Sequence, residues 1–293
     1  MRLDPQAPQI PVGRRRARPR PALALLLAAA IGLAAAPPAG QPPPGQDDVK
    51  EVLEKSPRHG EYVDIKMKQS ETPLRAFVVY PERKDKAPVV IVIHEIFGLS
   101  EWIRGVADRL AADGFIAVAP DLLTGKGPNG GGTDSLASRD DVVKKVRELT
   151  PQEVAARLDA TRAWAGKLPS AGGKVATIGF CWGGGTSFQY ATLTPDLAAA
   201  VVYYGQSPET DALAKVKAPV LGLYGADDAR VTATIEPAAA EMKKLGKTYE
   251  VELYEGAGHG FLRDQAGRDG ANLRAALKAW PRTLEFLRKH TGG

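Results

Sequence analysis

At 293 residues, 44% hydrophobic and 25% charged, the chain has the composition of an ordinary globular protein and is long enough to bury a full core. The net charge of +5 does not mark a nucleic-acid binder: residues 1–40 hold six arginines (Arg2, Arg14, Arg15, Arg16, Arg18, Arg20) against Asp4, the rest of the chain is near neutral, and no basic stripe interleaved with aromatics runs through it. A single cysteine, Cys181, excludes an intramolecular disulfide.

The basic stretch Arg14–Arg20 followed by the apolar run Ala22–Ala36 reads as a secretory signal peptide, with an uncleaved anchor as the alternative; either sends the chain out of the cytoplasm, to a periplasmic or secreted location. Residues 1–40 form that leader, 41–60 a linker or N-terminal segment in which Pro42–Gly45 is a semi-rigid spacer, and 61–293 the folded domain. Asp48–Lys55 carries a short helical period. Arg75–Tyr80 predicts a strand, and the β-branched run Val89–Ile93 a strand buried on both faces. Glu101–Asp113 is an amphipathic helix closed by Gly114, and Phe115–Ala119 the next strand. Leu122–Asp140 is polar and glycine-rich, a surface loop. Thr150 and Glu153 form a capping box opening a helix to about Lys167. Strands follow at Val175–Ile178, Ala199–Tyr203, Val220–Leu223 and Tyr249–Leu253, with helices at Pro237–Leu245 and Leu273–Lys289. Strands alternating with helices define an α/β fold built on a mostly parallel sheet, with no internal repeat and no second domain.

Gly179-Phe180-Cys181-Trp182-Gly183 follows an apolar strand and precedes a helix-compatible run, the strand–turn–helix context of a nucleophile elbow. At a helix N-terminus the dipole and free N–H groups favour a thiolate and can hold an oxyanion. His259 lies in a glycine-rich loop after the last strand, placed to reach across a site. His94, at the end of a strand, is the second choice of base. Asp227 and Asp228 follow the strand Val220–Leu223, where a hydrolase fold places the acid that orients its imidazole. Spacing alone does not choose between them. The order nucleophile, acid, histidine is that of α/β-hydrolases. No metal-ligand spacing, Walker loop or dinucleotide fingerprint is present, so neither a metal nor an organic cofactor is expected.

The segments His94–Leu99 (HEIFGL), Gly179–Gly184 (GFCWGG), Tyr254–Phe261 (YEGAGHGF) and Pro120–Leu123 (PDLL) resemble the dienelactone hydrolase family, over about Pro88 to Arg288. The resemblance implies an α/β-hydrolase fold, with Cys181 as nucleophile, His259 as base and Asp228 as the triad acid. It matches Glu95 to a glutamate that keeps the resting thiol neutral, the backbone N–H groups of Ile96 and Trp182 to an oxyanion hole, and Arg139 and Arg263 to residues that grip a substrate carboxylate. The export leader and the glycine-rich loop before Arg139 depart from the family. The expected activity is carboxymethylenebutenolidase-like: hydrolysis of a small lactone or carboxylic ester through a cysteine thioester. The expected protein is a monomer with no nucleic-acid partner and no membrane contact beyond an uncleaved anchor. Competing readings are a broad carboxylesterase, thioesterase or peptidase on the same fold, and an exported binding protein without turnover. The first is told apart by whether Arg139 and Arg263 line the pocket.

Overall fold

The computed structural model describes residues 40–68 and 70–292; residues 1–39 of the leader lie outside them. In chain order the elements are α1 (Val49–Glu54), β1 (Gly60–Met67), β2 (Ser70–Val79), β3 (Ala87–Ile93), α2 (Glu101–Ala112), β4 (Ile116–Pro120), α3 (Arg139–Arg147), α4 (Pro151–Ala165), β5 (Ala171–Phe180), α5 (Trp182–Leu193), β6 (Ala199–Tyr203), β7 (Val220–Gly225), α6 (Ala229–Thr232), α7 (Ile235–Lys244), β8 (Tyr249–Tyr254) and α8 (Ala271–Thr291). The eight strands form one sheet in the order β1-β2-β4-β3-β5-β6-β7-β8. Pairing is parallel from β4 to β8 and antiparallel at the β1–β2 and β2–β4 junctions.

Side-chain alternation along each strand divides the core into two layers. Val90 and Val92 of β3 face Trp102, Ile103 and Val106 of α2, in the layer that also holds Trp280 and Leu284 of α8. Val89, Ile91 and Ile93 face the opposite way, into a layer with Leu158 of α4, Phe188 of α5 and Met242 of α7. A strand covered on both faces has no polar side to show, which is why β3 is buried at every position. Helix ends follow from local chemistry. Ser100 Oγ accepts from Ile103 N at the start of α2, and Gly114, at φ +99, turns the chain out of it. The Thr150–Glu153 capping box opens α4 with both reciprocal bonds formed.

Three segments differ from the sequence expectation. The Pro42–Gly45 stretch is not a spacer: Trp102 Nε1 donates to Pro44 O at 3.1 Å, Gln265 Nε2 to Pro43 O at 2.8 Å, and Val49 is buried against α2. β1 is an edge strand whose faces are only partly covered, so it lacks the apolar run that revealed β3. α3 begins inside the expected loop, because Ser138 caps Asp141 N and Val142 and Val146 close over Leu123. Among the described residues no helix is long and apolar enough to cross a membrane.

The chain leaves β3 first toward β4, on one side, and then passes from β4 to β5, on the other. The carboxyl ends of β3 and β5 therefore flank a topological switch point, where open α/β sheets bind ligands. Glu95 and Cys181 lie just beyond those two ends.

Candidate active site

Cys181 joins β5 to α5 with φ 56 and ψ −117, outside the conformations open to most L-residues. The turn holds because its neighbours carry no Cβ. One on Gly179 would fall 1.9 Å from Gly183 O, and one on Gly183 would fall 2.3 Å from His94 O. α5 thus presses its first turn against the end of β3. The Cys181 amide donates to Tyr203 O at 3.0 Å, tying the elbow to the adjacent strand.

The loop after β8 brings His259 to the elbow from 78 residues away, with Nε2 at 3.0 Å from Cys181 Sγ. His259 Nδ1 lies 2.5 Å from Asp228 Oδ2. With Nδ1–H donating to the carboxylate, Nε2 is left to accept from the thiol, the tautomer a general base requires. Asp228 is 8% exposed at the start of α6. Asp227 turns away and pairs with Arg268 at 2.7 Å, which separates the two acids that spacing could not. Tyr204, buried and at φ 40, packs its ring edge-on against His259, centroids 5.3 Å apart.

The electrostatics hold the thiol neutral. Burial, and secondly the charge of Glu95, push the Cys181 pKa up to about 11, while the N–H groups of Trp182 and Ile96 and the Arg230 charge act in the opposite direction. Glu95 is itself buried, and desolvation pushes its carboxyl up to about 7 against the pull of Arg263 and Arg139. Arg263 Nε lies 3.0 Å from Glu95 Oε2, an ion-pair contact without the alignment of a hydrogen bond.

The expected arginines take other places. Arg139 opens α3 with its guanidinium 3.6 Å from the centroid of the Phe97 ring, and Arg263 approaches the same ring at 5.4 Å. Neither lines the cavity of about 750 Å³ that opens at Cys181 and His259. The cavity wall is mainly apolar, with Leu149, Val154, Leu158 and Trp182, and its cations are Arg147 and Arg230. Among the described residues no aspartate or glutamate lines it. His94, the second-choice base, is corrected by its burial. Its Nδ1 donates to Glu95 O at 2.7 Å, its ring stacks on Trp182, and desolvation lowers its pKa. Sequence reasoning missed Arg230, whose only signal is its position two residues after Asp228, and Tyr204, which carries none. Among the described residues no group of three or more His, Cys, Asp or Glu is placed to hold a metal ion.

A mostly parallel sheet with helices on both faces, carrying a Cys–His–Asp relay at its carboxyl edge, is an α/β-hydrolase fold. Residues 74–291 match the Dienelactone hydrolase family, and the chain belongs to it. A Salmonella typhimurium relative named "Putative carboxymethylenebutenolidase" is 34% identical over 229 residues, covering 74% of this chain and 83% of its own. The crystal structure of a dienelactone hydrolase from Klebsiella pneumoniae, likewise labelled putative, superimposes with a TM-score of 0.66 at 30% identity, covering 77% of this chain and 98% of that one. An acylaminoacyl peptidase of Pyrococcus horikoshii shares the fold alone, with a TM-score of 0.63 at 16% identity over 83% of this chain and 44% of that one. The protein is a carboxymethylenebutenolidase-like carboxylic ester hydrolase.

Proposed function

We propose that the protein hydrolyses a lactone or activated carboxylic ester through a Cys181 thioester. The observation that carries this reading is the unbroken relay from Cys181 Sγ through His259 to Asp228. His259 Nε2 takes the thiol proton as sulfur attacks the carbonyl carbon, and Asp228 stabilises the imidazolium. The tetrahedral oxyanion forms against the N–H groups of Trp182 and Ile96, donors worth roughly 3–4 kcal/mol each in other hydrolases. The imidazolium gives its proton to the departing alkoxide, leaving the acyl group on sulfur. Water, deprotonated by His259, then attacks the thioester; acid is released and the thiol restored. Burial and, secondly, Glu95 keep the resting sulfur protonated, and a substrate that displaces or neutralises that carboxylate eases its ionisation.

The substrate is a small molecule with an apolar body. Its carboxylate, where it has one, meets Arg230 or Arg147 rather than Arg139 or Arg263, because the former pair share the cavity with Cys181. A neutral-ester carboxylesterase is the second reading, favoured by the apolar wall. We place the enzyme outside the cytoplasm as a monomer, carried by the basic and apolar leader of residues 1–40.

The test is hydrolysis of p-nitrophenyl acetate with parallel iodoacetamide labelling. Cys181→Ala is expected to lose at least about a thousandfold in kcat/KM and all labelling. Retention of full esterase activity by that variant would remove Cys181 from the chemistry.

A further inference from the structure

The segment between leader and domain reaches Arg263, the residue paired with Glu95. Gln46 N donates to Arg263 O at 2.9 Å, and Arg263 Nη1 donates to Gln46 Oε1. Just upstream, Pro44 O accepts from Trp102 and Pro43 O from Gln265, so the strap is pinned on both α2 and the loop that carries Arg263. The Arg263 guanidinium is thereby held from one side by Gln46 and from the other by Glu95, 3.0 Å from its Nε. Nothing in the chemistry of ester hydrolysis requires Gln46.

We propose that the strap Pro43–Gln46 is a positioning element for the active site, in which Gln46 fixes Arg263 against Glu95 and through that carboxylate sets how readily Cys181 ionises. The proposal concerns regulation of the site assigned above and rests on that assignment. The groups facing Glu95 are Arg263 from the loop after β8, Arg139 from α3, Cys181 at the elbow and Tyr204 after β6. Arg263 is the strongest cation among them and holds the carboxyl down against burial. Releasing it raises the Glu95 pKa. Glu95 then stays neutral over a wider pH range, and the sulfur faces less negative charge.

With one cysteine in the chain, alkylation reports on Cys181 alone. The experiment is the rate of iodoacetamide alkylation from pH 6 to 10, followed by intact mass, on the full-length protein. In the wild type the rise in rate with pH is expected to flatten near pH 7, as Glu95 ionises and repels the thiolate. Gln46→Ala is expected to move that inflection upward and speed alkylation just above neutrality by about threefold, the equivalent of half a pH unit. Trp102→Phe, which loosens the strap at Pro44, moves it the same way. Gln46→Glu moves it the same way, because its carboxylate competes with Glu95 for Arg263, and Glu95→Gln abolishes the inflection. An unchanged or slower profile in Gln46→Ala, or an inflection moved downward in Gln46→Glu, overturns the proposal. Alkylation needs no ester turnover, so the profile decides this inference even if Cys181→Ala remains an active esterase and the hydrolytic reading falls.

Discussion

Cys181 is one of five described non-glycine residues at positive φ, and its ψ of −117 takes it outside the left-handed helical basin. Such a conformation costs about 1–3 kcal/mol and persists only where the surroundings over-determine it. Here they do: the glycines at 179 and 183 allow backbone packing that no Cβ would tolerate. Two variants that remove the sulfur therefore differ in a predictable way. Cys181→Ala keeps the strain, whereas Cys181→Gly removes it at a cost of about 0.5–1 kcal/mol in unfolded-chain entropy. The glycine variant is expected to be more stable in urea denaturation by about 1 kcal/mol. An alanine variant of equal or greater stability would show the elbow to be unstrained. The same residues explain what could be read in advance. An elbow is written in five consecutive positions, and His259 in a glycine loop, so both were legible. Spacing left Asp227 and Asp228 open and only the family resemblance pointed to Asp228; the physical reason, Arg268 taking the other acid, needed coordinates. The Arg263–Gln46 pair spans 217 residues, and no local pattern encodes such a partnership.

At the scale of elements, the strands buried on both faces announced themselves through composition, and the edge strand β1 did not, although β8 at the other edge was read. β1 mixes Glu61, Asp64 and Lys66 with its apolar positions because water reaches it. α3 offers a narrow stripe, Val142 and Val146, too little to stand out from a polar loop. The N-terminal segment was read as a spacer because its proline content describes the unbound chain, whereas its anchors lie on α2. The strongest of these is Asp108, which accepts from Arg58 Nε at 2.9 Å and from Arg58 Nη2 at 2.5 Å with both side chains buried, and meets Ser56 Oγ at 2.5 Å. Gly105 completes the contact, since a Cβ there would fall 2.4 Å from Val49 Cγ2. Removing one partner of a buried pair leaves a charge without compensation. Asp108→Ala is expected to destabilise the protein by about 3–5 kcal/mol, and the double variant Arg58→Met/Asp108→Leu to recover most of that loss. Chemical denaturation of the two decides it; equal losses would mean that packing, not charge, holds the segment.

Over the whole molecule, the excess positive charge belongs to residues 1–40, and the body that follows is near neutral. A near-neutral body does little to steer an anion from a distance, and screening at 0.1 M salt limits exposed charges to about 10 Å. Discrimination between anionic and neutral substrates must then arise inside the cavity, whose wall includes Arg147 and Arg230 and, among the described residues, no aspartate or glutamate. Arg230 is the cavity cation whose charge acts on the sulfur, lowering its pKa. The measurement is the ratio of kcat/KM for a p-nitrophenyl ester ending in a carboxylate to that for its methyl-terminated analogue. A ratio cancels any shared effect of Arg230 on thiol ionisation. Arg230→Gln is expected to lower this ratio about tenfold, equivalent to about 1.4 kcal/mol, with the loss appearing mainly in KM. Arg230→Glu is expected to invert the preference, because a carboxylate in that wall repels the anion it replaced the partner of. Arg139→Gln, altered outside the cavity, is expected to leave the ratio within about twofold, a change below 0.5 kcal/mol. If Arg139→Gln collapses the ratio and Arg230→Gln does not, the substrate carboxylate lies on the Phe97 side of the site, and the cavity serves the leaving group instead.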